Sequence, residues 1–195
     1  MLENWELRAA ARTLLKGNWL PAAGVTFLYC ILTSIASAPF GIAFLVVGGP
    51  LTLGYYGYFI NMTRGNRAEI ENLFSGFKSF GSGFMLLLLQ MVLIFLWTLL
   101  LIIPGIIKTL SYSMSFLILH DNPGMSALDT INASKKMMKG YKGKLFLLYL
   151  SFTGWGLLCF LTFGIGFLWL IPYVVLSFTN FYENLKNTQT VECNV

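Results

Sequence analysis

Three stretches of this chain carry no Asp, Glu, Lys or Arg: residues 17–63, 79–107 and 145–182. A helix needs about 20 residues, at ~1.5 Å each, to cross the hydrocarbon of a bilayer. The first and third stretches, 47 and 38 residues long, are each long enough for two crossings. The middle one resumes beyond Lys108 as residues 109–119 and holds two as well. The pattern predicts six apolar segments, at about 19–37, 42–61, 84–103, 106–120, 145–161 and 166–182.

Composition closes off the alternatives. Only 11% of the 195 residues are charged, and 56% are apolar before the 19 glycines are counted. Soluble domains carry about 25% charge and about 45–50% apolar residues with glycine included. So few charges would leave a compact soluble globule with large greasy patches. Disorder is excluded by the same numbers, and a disulfide scaffold by a mere three cysteines. Residues 84–103 include fifteen of Leu, Ile, Val or Phe against one strongly polar side chain, Gln90. Each of the fifteen favours insertion by roughly 0.3–0.6 kcal/mol at a helix centre. Backbone groups in lipid must pair internally, and alternating barrel strands are absent, so the segments are helices.

Each long stretch has a break inside it: Pro39-Phe40-Gly41, Pro104-Gly105 and Gly164-Ile165-Gly166. Proline lacks an N–H and glycine tolerates positive φ, which makes these tight connections. Pro50 and Pro172 fall within segments and read as kinks. The fold predicted is an all-α membrane protein of six transmembrane helices in three hairpins. One integral domain covers residues 1–185, and residues 186–195 form a short mobile tail. The charge-free tips also leave a re-entrant arrangement open, although re-entrant backbone needs shielding by protein or a cavity.

With every break a turn, Arg8, Arg12, Lys16, Arg64, Arg67, Lys78, Lys135, Lys136, Lys139, Lys142, Lys144 and Lys186 lie on one face. Cytoplasmic loops carry the excess of Lys and Arg, so this face and both termini are placed in the cytoplasm. The net charge of +5 is then a topology signal rather than a nucleic-acid footprint. The run from Lys135 to Lys144 reads either as a contact for anionic lipid headgroups or as a solvated loop. Lys108, near the opposite face, reads as a snorkelling side chain. Trp19, Tyr58, Tyr141 and Tyr182 fit an interfacial aromatic belt, whereas Trp97, Trp155 and Trp169 lie deeper and read as packing residues.

A short amphipathic helix is expected before each hairpin. The first shows Leu2, Trp5, Ala9 and Leu14 on one face, the second Ile70, Leu73, Phe74 and Phe77. The third opens at Asn122-Pro123, continues with Met125, Leu128 and Ile131, and has a capping box from Ser126 to Asp129. Lys16, Lys78 and Lys142 are spaced by 62 and 64 residues, as in a threefold repeat of helix plus hairpin. Any three hairpins with their charges confined to one side would look similar.

Chemistry is hard to find. His120 beside Asp121 reads as an interfacial polar cap, with an acid/base pair as the alternative. No second histidine completes a metal site, and no GxSxG, HExxH or Walker pattern occurs. No catalytic, cofactor or metal residue is assigned. Cys30 and Cys159 read as small core residues, and Cys193 fits no lipidation site. Ala36-Ser37-Ala38 after an apolar run resembles a signal-peptide end, but Glu3 and Glu6 in the basic region favour a retained first span. Intramembrane Asp and Glu are missing, which disfavours ion-coupled transport.

Several motifs together carry a family resemblance. They are Lys139-Gly140-Tyr141-Lys142-Gly143-Lys144-Leu145-Phe146, Asn72-Leu73-Phe74-Ser75-Gly76-Phe77-Lys78 and Ile103-Pro104-Gly105-Ile106-Ile107-Lys108, with Leu170-Ile171-Pro172-Tyr173 near the end. In these the chain resembles a bacterial membrane family, domain of unknown function 975. It is also distantly similar to the membrane part of some glycerophosphodiester phosphodiesterases. The resemblance implies a polytopic protein of the bacterial cytoplasmic membrane and transfers no site residue. The function expected is association with lipid or a partner protein, including protection against membrane-active peptides. A small transporter, its path lined by helices broken at Gly48-Gly49-Pro50 and Ile171-Pro172, is the alternative. An enzyme built on His120–Asp121 comes third.

Overall fold

The computed structural model describes residues 2–37, 42–162 and 164–193. All regular structure among them is helical. Helix α1 (Asn4–Leu15) starts where Glu6 accepts the Glu3 backbone N–H at 2.6 Å. Next come α2 (Trp19–Ser37) and α3 (Ile42–Thr63). A single turn, α4 (Asn72–Ser75), runs through a tight 3-10 turn (Gly76–Ser79) into α5 (Phe80–Leu100). Then follow α6 (Ile102–Tyr112), α7 (Ser115–Asp121), α8 (Ala127–Met137), α9 (Lys142–Leu161) and α10 (Phe167–Cys193). Five helical stretches are long and apolar enough to cross a membrane: Trp19–Ser37, Ala43–Thr63, Asn72–Leu100, Ile102–Asp121 and Lys142–Leu161.

Helix α3 is the axis of the bundle. Inside the protein, 61% of its apolar window is buried, against 22% for α2 and for α9. It touches α2, α5, α7 and α10, and buries Leu51, Leu53, Tyr55, Tyr58, Phe59 and Ile60. Glycines permit the closest of these contacts. A Cβ at Gly54 would collide with the Leu73 carbonyl, one at Gly76 with the Pro50 carbonyl, and one at Gly49 with the Gly83 carbonyl. Small residues that let backbones approach are a general device of helix association in lipid. Pro50 and Pro172 both lie inside continuous helices, as the sequence leads one to expect.

The outside of the bundle is apolar. Leu99, Ile102, Ile103, Phe160 and Leu161 are each more than 70% exposed, and all sit near the α5–α6 and α9–α10 connections. Such a surface requires lipid rather than water as its solvent.

Several local expectations need correction. The second break falls at Leu101, which is fully extended (φ −162°, ψ 141°), and not at Pro104-Gly105. Pro104 instead occupies the first turn of α6, where the missing N–H costs nothing. The third break is as expected, with Gly164 at φ +84°. The first, Pro39-Phe40-Gly41, lies outside the described residues. Helix α1 buries Leu7, Ala11 and Leu15, while Trp5 is 64% exposed and Leu2 and Ala9 face outward. Apolar positions occupy more than one face of that helix, and the set of Leu2, Trp5 and Ala9 is the outer one.

The expected second amphipathic helix is only α4 and its 3-10 turn, with Leu73 buried and Ile70, Phe74 and Phe77 exposed. Asn122 caps the end of α7, donating to the Ile118 carbonyl at 3.1 Å, so α8 begins after Ser126 rather than at Pro123. The Ser126–Asp129 cap holds: the Asp129 N–H donates to Ser126 Oγ at 3.2 Å. Tyr58 and Tyr182 are core residues, not a belt, and Trp155 and Trp169 lie outside, about half exposed. The tail expected to be mobile from residue 186 continues α10 to Cys193, with Gln189 donating to the Met137 carbonyl at 3.0 Å.

Candidate functional site

The fourth apolar segment is not one helix. Its ladder is interrupted at Ser113 and Met114, between α6 and α7. Backbone carbonyls released inside a membrane must find other donors. The Ser111 carbonyl accepts from Ser134 Oγ at 2.8 Å. The Tyr112 carbonyl accepts from Gln90 Nε2 at 2.9 Å and from Ser115 Oγ at 2.8 Å. All three donors are buried. This accounts for Gln90, the odd polar residue of the third segment.

Beside the break lies a cavity of about 240 Å³, where α3, α5, α6, α7, α9 and α10 converge. Thr52, Tyr56, Gln90, Thr109, Tyr112 and Ser113 supply its polar groups, and no charged side chain lines it. Rings wall it: Tyr56 stands 6.2 Å from Phe116 and 5.8 Å from Phe178, centroid to centroid. Thr109 and Ser113 donate back to carbonyls of their own helix, and Thr52 is engaged by Tyr29 at 3.1 Å. The hydroxyls of Tyr56 and Tyr149 have no hydrogen-bond partner among the described residues. The Gly49-Pro50 break expected to line a path is instead packed against Gly83 and Gly76.

An ion network closes the end of the same helices at which α3 stops and α7 terminates. Asp121, its side chain 7% exposed, terminates α7. Arg64, just past α3, donates to both its oxygens at 2.8 Å. Lys186 and Tyr182 of α10 donate to Asp121 Oδ2 at 2.5 and 3.0 Å. Arg64 also donates through Nε to Glu183 at 2.9 Å. Burial works against the Arg64 charge, but hydrogen bonds to Asp121 and Glu183 outweigh it and raise its pKa further. His120 sits at the network's edge: Nδ1 is 3.7 Å from Asp121 Oδ1, ion-pair rather than hydrogen-bond distance, and the ring lies against Gly57. The polar cap expected from His120–Asp121 is wider than that pair: Arg64, Tyr182 and Lys186 hold Asp121, and Glu183 holds Arg64. Among the described residues no three His, Cys, Asp or Glu side chains converge to hold a metal.

Lys108 rests its ammonium 4.2 Å above the Trp97 ring, a cation–π contact between the two arms of the α5–α6 hairpin. Cys159 is buried and Cys30 half-buried, both with free thiols. The run from Lys135 to Lys144 is partly engaged. Lys135 donates to Asn132 at 3.3 Å, and Lys144 pairs with Glu3 at 3.3 Å.

An all-helical bundle with an apolar exterior, buried polar groups that mend its own backbone and five helices fit to cross a bilayer defines a multi-pass membrane protein. Within that class, the family described as "Protein of unknown function (DUF975)" matches residues 1–111 and 98–189, and the chain belongs to it. Comparison with curated proteins and with solved structures gives no match. The likeness to the phosphodiesterase membrane part finds no support among these comparisons.

Proposed function

We propose that the protein is a six-span protein of the bacterial cytoplasmic membrane, both termini in the cytosol, that acts by association rather than catalysis. Residues 167–182 of α10 supply the sixth crossing, and the helices form three hairpins. The threefold repeat belongs to the same reading, with α1 and α8 as intact leading helices and α4 as a vestige of the second.

One observation carries the non-catalytic reading: Asp121 and the side-chain donors at the α6–α7 break are consumed by the fold. Asp121 takes its hydrogen bonds from Arg64, Lys186 and Tyr182, and Gln90, Ser115 and Ser134 serve the broken ladder. What remains for function is an apolar exterior and a basic face. Lys136, Lys139 and Lys142 make no ion pair among the described residues, which supports contact with anionic lipid. Protection against membrane-active peptides follows from such a surface. The test is dye release from phosphatidylglycerol–phosphatidylethanolamine vesicles exposed to a cationic amphipathic peptide. Reconstituted protein should slow the release, and equal rates with and without it would defeat the protective role. His120→Ala should leave the effect intact.

The cavity at the α6–α7 break favours a second reading, passage of a small uncharged solute. Stopped-flow uptake of glycerol or urea into the same vesicles tests it, with acceleration by the protein expected and an unchanged rate as the refutation.

A further inference from the structure

A second pocket, of about 410 Å³, opens where α1 turns into α2 and α3 ends. Its lining is mixed in chemistry, and Asn18 is among it. Leu14, Pro21 and Met62 provide apolar wall, while Asn66 and Arg67 supply donors from the loop after α3. Arg67 is exposed and has no hydrogen bond or ion pair among the described residues. Tyr58 also lines the pocket, and its hydroxyl is buried without any hydrogen-bond partner among the described residues. A buried, unsatisfied hydroxyl is costly to keep unless something completes it. Tyr58 lies five residues before the end of α3, about 7.5 Å down the helix. The pocket therefore brings a cationic loop side chain together with apolar side chains of α1, α2 and α3.

We propose that this pocket binds the phosphate of an anionic phospholipid. The Arg67 guanidinium takes the phosphate oxygens as a fork, a geometry that suits guanidinium better than ammonium. Asn66 adds an amide donor, and the Tyr58 hydroxyl donates from below. The glycerol and first acyl carbons lie against Leu14, Pro21 and Met62. Glu69 and Glu71 follow in the same loop but do not line the pocket, so no carboxylate opposes the anion there. The inner leaflet is the source of the lipid, and that clause alone rests on the orientation proposed above.

The experiment uses the full chain, stripped of lipid in a phosphate-free maltoside detergent and titrated with phosphatidylglycerol by native mass spectrometry and thermal shift. One tightly held phosphatidylglycerol is expected. Arg67→Gln should weaken it about tenfold or more, as for loss of a charge-assisted bond, and Tyr58→Phe about fivefold, as for one neutral bond. Without lipid, Tyr58→Phe should melt at or above the wild-type temperature, because it removes only an unsatisfied hydroxyl. Unchanged phosphatidylglycerol binding in both variants overturns the proposal. So does lipid-free destabilisation by Tyr58→Phe, which would make the hydroxyl structural. Inorganic phosphate binding as tightly as the lipid overturns the lipid assignment, and phosphatidylcholine doing so overturns the anionic one. Labelling of Arg67→Cys from outside intact cells, with phosphatidylglycerol binding by the unaltered chain as expected, would instead overturn the orientation alone.

Discussion

Replacing Gln90 by leucine removes one of the two donors that reach the Tyr112 carbonyl; Ser115→Ala removes the other. Each single change leaves that carbonyl with one partner. Hydrogen bonds of this kind in membrane proteins average about 0.6 kcal/mol and reach about 1.7 kcal/mol. Gln90→Leu also gains apolar contact, since residue 90 is only 9% exposed. Its net cost should be about 0.5–1 kcal/mol, and that of Ser115→Ala about the same. The double variant is different. It strands a carbonyl at a break in the ladder, which adds a desolvation penalty of about 1–3 kcal/mol beyond the two single costs. The expected signature is therefore a coupling of at least about 1 kcal/mol in a double-mutant cycle. Equilibrium unfolding in mixed micelles, titrated with dodecyl sulfate, gives the four free energies. Strict additivity would mean that the carbonyl finds a third donor, such as water in the adjacent cavity. Side chains would then not be what holds the broken helix.

Two further outcomes follow from particular contacts. Gly76→Ala drives a Cβ into the Pro50 carbonyl, which is backbone and cannot yield, so the contact between α3 and the 3-10 turn must open at about 1–3 kcal/mol. Gly154→Ala, inside α9 with open space around it, should be neutral or stabilising by up to about 1 kcal/mol. Unfolding of the two in parallel separates close approach from helix propensity, and equal effects would refute the glycine seam. Asp121→Asn should cost about 2 kcal/mol, less than a fully buried pair, because Arg64 and Lys186 are 33% and 43% exposed. Part of that cost should vanish in high salt, and its absence in unfolding titrations would show that the network does not clamp α3, α7 and α10.

The helices that cross the bilayer were legible because hydropathy is a local property: a charge-free run of this length has few other solutions. Breaks were less so. Pro104 marks the neighbourhood of a turn, but the extended residue is Leu101, since proline is most at ease inside the first helical turn. The interruption at Ser113–Met114 has no glycine or proline to announce it. Its available signal was the alternation Ser111, Ser113, Ser115, hydroxyls that compete for backbone, together with Gln90 as an unexplained polar residue in the preceding segment.

The Asp121 network had a signal too. Arg64, Asp121 and Glu183 each follow directly on an apolar segment at the same membrane face, with opposite signs of charge. What the sequence lacked was the adjacency of α3, α7 and α10, a tertiary fact that no local pattern encodes. The belt reading of Tyr58 and Tyr182 failed for the same reason, since both are buried. Both fall near the end of an apolar segment, but position along a helix does not say which side faces the bundle.

That the chain threads a bilayer with its basic loops on one side is tested most directly by cysteine accessibility. Single cysteines at Ser37, Leu101 and Ile165 mark the three connections expected outside, and at Arg67 and Lys139 the two expected inside, in a chain with Cys30, Cys159 and Cys193 replaced. A membrane-impermeant maleimide applied to intact cells should label the first three and reach Arg67→Cys and Lys139→Cys only after permeabilisation. Labelling of those two from outside, or no labelling of the connections from either side, would contradict it.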